Sequence, residues 1–170
     1  GMKVDRPAMH MVFTGNPGTG KTMMARMMAR IYRSLDILSR GQLVEVDRSG
    51  LVAGYVGQTA LKTQKVIEKA MGGVLFIDEA YALNGKSEND FGQEAIDTVL
   101  KAMEDHRDDL VVILAGYSRE MEEFLTANSG LRSRFPNIIE FPDYTAGELV
   151  EITKSIVALS LIHISEPTRH

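Results

Sequence analysis

The chain has 170 residues, enough for one domain with its own core, and 44% of them are hydrophobic, as in an ordinary soluble protein. A net charge of −4 with no Lys/Arg run argues against a nucleic-acid partner, and no apolar run nears the roughly 20 residues of a membrane span. Cysteine is absent, which excludes disulfides and thiolate metal sites and is compatible with a reducing cytoplasm, the expected location.

In chain order, short apolar runs alternate with amphipathic stretches. "MHMVFTG" (Met9–Gly15) reads as a buried strand ending in a glycine-rich turn, and "KTMMARMMARIYRSL" (Lys21–Leu35) has helical periodicity. "QLVEVD" (Gln42–Asp47) is a second strand. "AGYVGQT" (Ala53–Thr59) suits neither element, because glycines flank its best strand formers. "TALKTQKVIEKAM" (Thr59–Met71) reads as a helix with Thr59 as its cap. "GVLFID" (Gly73–Asp78) is apolar at nearly every position, the pattern of a strand covered on both sheet faces. A helix over Phe91–His106, an apolar strand "LVVILAG" (Leu110–Gly116), a helix over Arg119–Asn128 and a strand "NIIEF" (Asn137–Phe141) follow. "TAGE" (Thr145–Glu148) is a capping box opening the helix "ELVEITKSIVAL". This alternation predicts an α/β layered domain with a mainly parallel sheet.

"GNPGTGKT" (Gly15–Thr22) meets the pattern G-x-x-x-x-G-K-[ST] at each fixed position, after a strand and at the opening of a helix. Gly15, Gly18 and Gly20 allow the backbone to curl with its N–H groups inward, around Asn16, Pro17 and Thr19. Lys21, Thr22 and Met23 begin the helix whose N-terminal dipole favours an anion. The expected ligand is a nucleoside triphosphate, with Lys21 on its β- and γ-phosphates and the Thr22 hydroxyl on Mg²⁺. Asp78, at the end of its apolar strand, is the second expected Mg²⁺ ligand. Glu79 beside it is the candidate base that orients the attacking water, so the pair predicts hydrolysis as well as binding.

With "HMVFTGNPGTGKT", "GYVGQTALKT", "GGVLFIDEAYAL", "FGQEAID", "LVVILAGY", "GLRSRFP" and "IEFPDYT" in place, the chain resembles the CbbX/CfxQ group of AAA+ ATPases over most of Met9–Leu149. That group includes a sporulation protein, a red-type Rubisco activase and a type VII secretion ATPase; "EAIDTVLKAMEDHRDDL" and "GLRSRFP" look most like the sporulation member. The resemblance implies a P-loop NTPase three-layer sandwich with a mainly parallel five-stranded sheet, the AAA+ large subdomain, over residues 1–145. It implies a homo-oligomer, a hexamer when complete, that remodels a protein substrate through loops lining a central pore. Tyr55-Val56-Gly57 matches the aromatic–hydrophobic–glycine triplet of such a loop, with Tyr55 gripping a threaded polypeptide and Gly54 and Gly57 letting it move. "NGKSEND" (Asn84–Asp90) matches the second pore loop by position alone. In "GLRSRFP" one arginine is expected to reach the γ-phosphate of the neighbouring subunit; Arg134 is the first choice and Arg132 the second.

The strand "LVVILAGY" departs from many AAA+ proteins, which place a polar sensor at its end; Tyr117 stands there as a sensor or a packing residue. Residues 146–158 correspond to the first helix of the helical lid, most of which is expected to be missing. Leu159–Arg169, "LSLIHISEPTR", has no place in the group and resembles one reading frame of a transposase-type sequencing adapter, so residues 159–170 are expected to be foreign. The short segment before the first strand is likewise expected to be truncated. Two competing readings stand beside the motor. One is a nucleotide-dependent switch that threads nothing, and the other is a nucleic-acid motor, disfavoured by the lack of a basic stripe.

Overall fold

Side chains along a strand point alternately to opposite faces, so a strand apolar at every position must be covered on both sides. β3 (Val74–Ile77) and β4 (Val111–Gly116) are buried throughout, and each divides its side chains between two cores. Leu75, Ile77, Val112 and Leu114 join one apolar cluster; Val74, Phe76, Val111 and Ile113 join the other. The computed structural model describes residues 9–85, 90–143 and 146–165. Over that span a five-stranded sheet has the order β2-β3-β4-β1-β5, with β1 at Met11–Gly15, β2 at Leu43–Val46 and β5 at Asn137–Phe141. All four strand pairings are parallel, so the expected mainly parallel five-stranded sheet is found.

Helices complete the other two layers. α1 (Lys21–Ser34) turns Met24, Ala25, Met28, Ala29 and Tyr32 to one core, the spacing of a single helical face. α3 (Thr59–Ala70), α4 (Gly92–Asp105) and α5 (Ser118–Ala127) cover the opposite face through residues such as Ile67, Ile96, Val99 and Phe124. A side chain as fully buried as Phe13 or Phe76 stabilises by about 1.5–3 kcal/mol. Three short elements escape a periodicity reading: α2 (Arg48–Leu51), a 3₁₀ turn (Ala80–Leu83) and α6 (Ser129–Arg134).

Two expectations need revision or qualification. Thr59 does not cap α3; it is the first helical residue, fully buried, and its hydroxyl accepts the Ala53 N–H at 3.0 Å, while Gln58 holds the cap position. The closing of the preceding loop has taken the hydroxyl that a cap would use. α7 (Ala146–Ser165) continues without a break past residue 158. It packs on α1 through Ile152, Ile156 and Thr153, whose hydroxyl lies 3.1 Å from the Met24 sulfur. Leu159, Leu161 and Ile162, from the stretch expected to be foreign, are exposed. Thr145 and residues 86–89 of the expected second loop lie outside the described residues.

Candidate active site

β1 and β3 both neighbour β4, and their C-terminal ends open on the same side of the sheet. This arrangement brings Lys21 and Asp78 together, although far apart in sequence. A cleft of about 400 Å³ lies across the end of β4. Gly15, Pro17, Gly18, Gly20, Lys21, Thr22 and Met23 form one wall, Asp78 and Glu79 another, and Gly116 and Tyr117 the floor. Ligands in parallel α/β sheets bind in just such crevices at strand ends.

The loop before α1 needs its glycines. Gly15 has φ +147°, and a Cβ there would collide with the Phe141 carbonyl at the end of β5. Gly20, in the left-handed region with φ 92°, leads into α1 without a side-chain cap. Four N-terminal N–H groups of a helix lack intrahelical partners, so an uncapped start facing a cleft is open to an anion. Asn16 and Thr19 do not line the cleft. The buried Thr19 hydroxyl donates to the Asn16 carbonyl at 2.8 Å and shapes the loop from within.

The Lys21 ammonium curls back into this loop and donates to the carbonyls of Gly15 and Asn16, both at 2.8 Å. Burial lowers its pKa, and the Asp78 carboxylate opposes that shift. A cation held at the mouth of a ring of backbone donors suits a polyphosphate. The Thr22 hydroxyl and Asp78 carboxylate share the same cleft and offer the hard oxygen ligands that Mg²⁺ takes. The residues present therefore fit both ATP and its metal.

Asp78 is fixed at its backbone, where its N–H donates to the Val46 carbonyl of β2 at 2.8 Å. Its Oδ1 accepts the Glu79 N–H at 3.0 Å. Glu79 itself has φ 49° and ψ 47°, the left-handed region that a residue with a Cβ enters at a cost of about 1–2 kcal/mol. Only one other non-glycine residue among those described, Asp36, has positive φ. Backbone strain of this kind persists where surrounding contacts hold it, and it concentrates at functional positions.

The sequence leaves Tyr117 open between a sensor and a packing residue, and no motif marks Gly116 or Tyr81. Tyr117 lines the cleft and is 37% exposed. The Tyr81 ring lies so close to Gly116 that a Cβ there would stand 2.9 Å from its Cε1. Burial, followed by the nearby Glu79 carboxylate, raises the Tyr81 pKa, which keeps its phenol protonated. A tyrosine three residues after an expected metal ligand was the available signal.

The other expected residues stand away from the cleft. Tyr55 and Val56 are 72% and 85% exposed, at the tip of a loop beside the start of α3. The base of that loop is tied down: besides the Ala53–Thr59 bond, Thr63 donates to the Leu51 carbonyl at 2.9 Å and Lys62 to the Ser49 carbonyl at 2.7 Å. Arg134 and Arg132 both lie on α6. Arg134 Nη1 donates to the Gly130 carbonyl at 3.1 Å. Its Nε lies 3.4 Å from Glu104, an ion-pair contact without hydrogen-bond geometry. Arg132 lines a separate groove beside β5 with Thr14 and Glu140.

Residues 11–143 match the family described as "ATPase family associated with various cellular activities (AAA)". The chain is 53% identical over 157 residues to stage V sporulation protein K of Bacillus subtilis, covering 92% of this chain and 49% of that protein. It is 55% identical over 153 residues to CbbX of Cereibacter sphaeroides, covering 89% of this chain and 50% of that protein. Against the ESX-1 secretion system protein EccA1 of Mycobacterium tuberculosis it is 54% identical over 162 residues, covering 93% and 28%. These near-equal identities do not favour the sporulation branch over the others. The chain spans about half the length of the first two relatives. Among solved structures, Hsp104 with ATPγS and casein superposes with a TM-score of 0.57 at 25% identity, covering 91% of this chain and 28% of that one. Katanin superposes with a TM-score of 0.52 at 25% identity, covering 80% and 41%. The family match runs from the first residue of β1 to beyond the end of β5, and the chain belongs to the AAA family of ATPases.

Proposed function

We propose that this protein binds ATP with Mg²⁺ in the cleft across β4, hydrolyses it, and uses the cycle to move Tyr55 against a protein substrate within a hexamer. The observation that carries this reading is the convergence of Lys21, Thr22, Asp78 and Glu79 on one cleft at the strand ends. Lys21 exchanges its loop carbonyls for the β- and γ-phosphates. Thr22 and Asp78 would hold the metal, which would supply charge neutralisation to the phosphates. Glu79 orients water and accepts its proton.

Arg134 serves the cleft of a neighbouring copy. To do so it releases the Gly130 carbonyl and Glu104, the latter a half-exposed contact of the kind worth about 0–1 kcal/mol. The protein-substrate and oligomer parts of the reading draw support from relatives. One structural relative was solved with casein, and the study of another concerns katanin self-assembly. The exposed Tyr55-Val56 tip gives this chain an apolar surface suited to gripping an extended polypeptide of any sequence. A switch that threads nothing would use the same cleft but would not need Tyr55.

Calorimetric titration of ATP with Mg²⁺ tests the site. Lys21→Ala is expected to weaken binding at least tenfold while far-UV circular dichroism and thermal unfolding stay unchanged. A folded variant that binds like the parent would overturn the assignment.

A further inference from the structure

We propose that Arg48 couples the nucleotide cleft to the Tyr55 loop, a positioning role that rests on the function proposed above. Arg48 opens α2, the single turn that follows β2. Its Nη1 donates to the Ala82 carbonyl at 2.8 Å, in the 3₁₀ turn that begins immediately after Glu79. Its Nη2 donates to Asp90 Oδ1 at 2.9 Å, and that same oxygen accepts the Gly92 N–H, at the start of α4, at 2.8 Å. One guanidinium thus joins the segment leaving Glu79 to the N-terminus of α4. The fork of donors is rigid, so both contacts must move with it. The packing here is close enough to need glycine at position 92. A Cβ would stand 3.1 Å from Arg48 Nη1 and would collide with the Leu83 carbonyl.

The other side of α2 is riveted to α3. Lys62 donates to the carbonyls of Ser49 and Val52 at 2.7 and 3.2 Å, and Thr63 donates to that of Leu51 at 2.9 Å. The Ala53 N–H bond to Thr59 then closes the neck of the loop. These contacts brace the base of the loop against α2 and α3. Gly54 and Gly57 give freedom to the tip, but the loop as a whole must travel with α2 and α3 as one body. A second tie runs in parallel, from the Ala60 N–H to Glu94 of α4 at 3.1 Å.

Beside these contacts lies an open groove of about 470 Å³. Glu79 and Ala82 form one wall, Ala53 and Gly54 another, and Arg48 stands among them. Glu79 therefore borders both the nucleotide cleft and the groove at the base of the Tyr55 loop. Its left-handed backbone is held by neighbouring contacts, and a change in those contacts on nucleotide binding shifts the 3₁₀ turn that follows. Arg48 passes this shift to α2, and the rivets pass it to Tyr55. The open groove beside the base of the loop leaves room for the displacement.

The chain contains no tryptophan, so Tyr55→Trp installs a single fluorescent reporter at an exposed position. The experiment compares emission and anisotropy of this protein free, with ADP, and with ATPγS and Mg²⁺, while calorimetry follows nucleotide affinity. The reporter is expected to change between the ADP and ATPγS states. Adding Arg48→Ala should at least halve that change with the ATPγS Kd held within threefold, and Arg48→Lys, which keeps the charge but lacks the planar fork of donors, should restore part of it. If Arg48→Ala lowers the Tm so far that the fold is in question, Asp90→Ala removes the shared acceptor from the other side and should reduce the response at least twofold. A full response in the folded Arg48 or Asp90 variants overturns the proposal. So does a silent reporter in a parent that binds ATPγS, with the cleft assignment left standing. A parent that binds no nucleotide overturns the cleft assignment itself, and the coupling with it.

Discussion

Acid should destabilise this chain through one buried imidazole. His10 lies just before β1 and is 5% exposed. Its Nδ1 accepts the Val112 N–H of β4 at 3.0 Å, which puts the ring proton on Nε2. Burial lowers its pKa from 6.5 to about 4. Protonation would charge a desolvated ring and replace the acceptor facing Val112 with a donor. The unfolded chain takes up this proton near pH 6.5 and the folded chain near pH 4. Between those values the unfolded state holds more protons, so stability falls as pH falls. The contribution is intact above about pH 6.5 and gone below about pH 4. The difference between the two pKa values, at about 1.4 kcal/mol per pH unit, corresponds to about 3 kcal/mol, of which about 2.5 kcal/mol is lost by pH 4.5. The assay is urea unfolding of the chain and of His10→Phe at pH 7.5 and 4.5. The variant leaves the Val112 N–H unpaired and is less stable by about 1–3 kcal/mol at pH 7.5, but that cost does not titrate. Carboxylates titrate alike in both proteins and cancel in the comparison. If both proteins lose the same stability between the two pH values, the buried-imidazole reasoning is wrong. The loss has a route to the proposed trans arginine, because the His10 ring packs on Phe135, 5.8 Å between centroids, next to Arg134.

Three further outcomes are expected. Glu79→Gln should keep ATP binding and slow its turnover, whereas Glu79→Gly should also slow turnover yet raise unfolding stability by about 0.5–1 kcal/mol by removing a Cβ from the left-handed region; single-turnover hydrolysis and thermal melting separate the two effects. Tyr55→Ala, at a 72% exposed site, should change stability by less than about 0.5 kcal/mol and leave ATP affinity unaltered, while a version extended to the length of its relatives loses unfolding of a fluorescent protein substrate. In that same extended version ATP turnover per subunit should climb with protein concentration, and Arg134→Ala should lower the assembled rate by on the order of 10³-fold or more with binding unchanged; equal rates in both proteins would remove the trans arginine.

The sequence by itself determined the layered parallel fold and singled out Lys21, Thr22, Asp78 and Glu79, which the fold brings to one cleft. Periodicity sufficed for β3, β4 and α1, where burial on both faces or on one stripe leaves a pattern spanning many residues. The phosphate loop was equally plain, since its glycines at fixed spacing record a backbone path with positive φ at Gly15, Gly18 and Gly20. Relations across the chain were left to the tertiary structure. α2 and the 3₁₀ turn are four residues each, too short for any period to show. The helix start near Thr59 was visible, but the hydroxyl's partner was Ala53, a choice made by loop closure and not by local preference. The Glu79 side chain was readable as a base, whereas its left-handed backbone was not, because that strain exists only while surrounding contacts enforce it. Arg48 carried no motif: its role depends on Ala82 and Asp90, which it meets only after β2 has paired with β3 and α4 has docked on the sheet. A sequence displays what each residue can do, but only the packed chain decides which groups lie within 3 Å of one another.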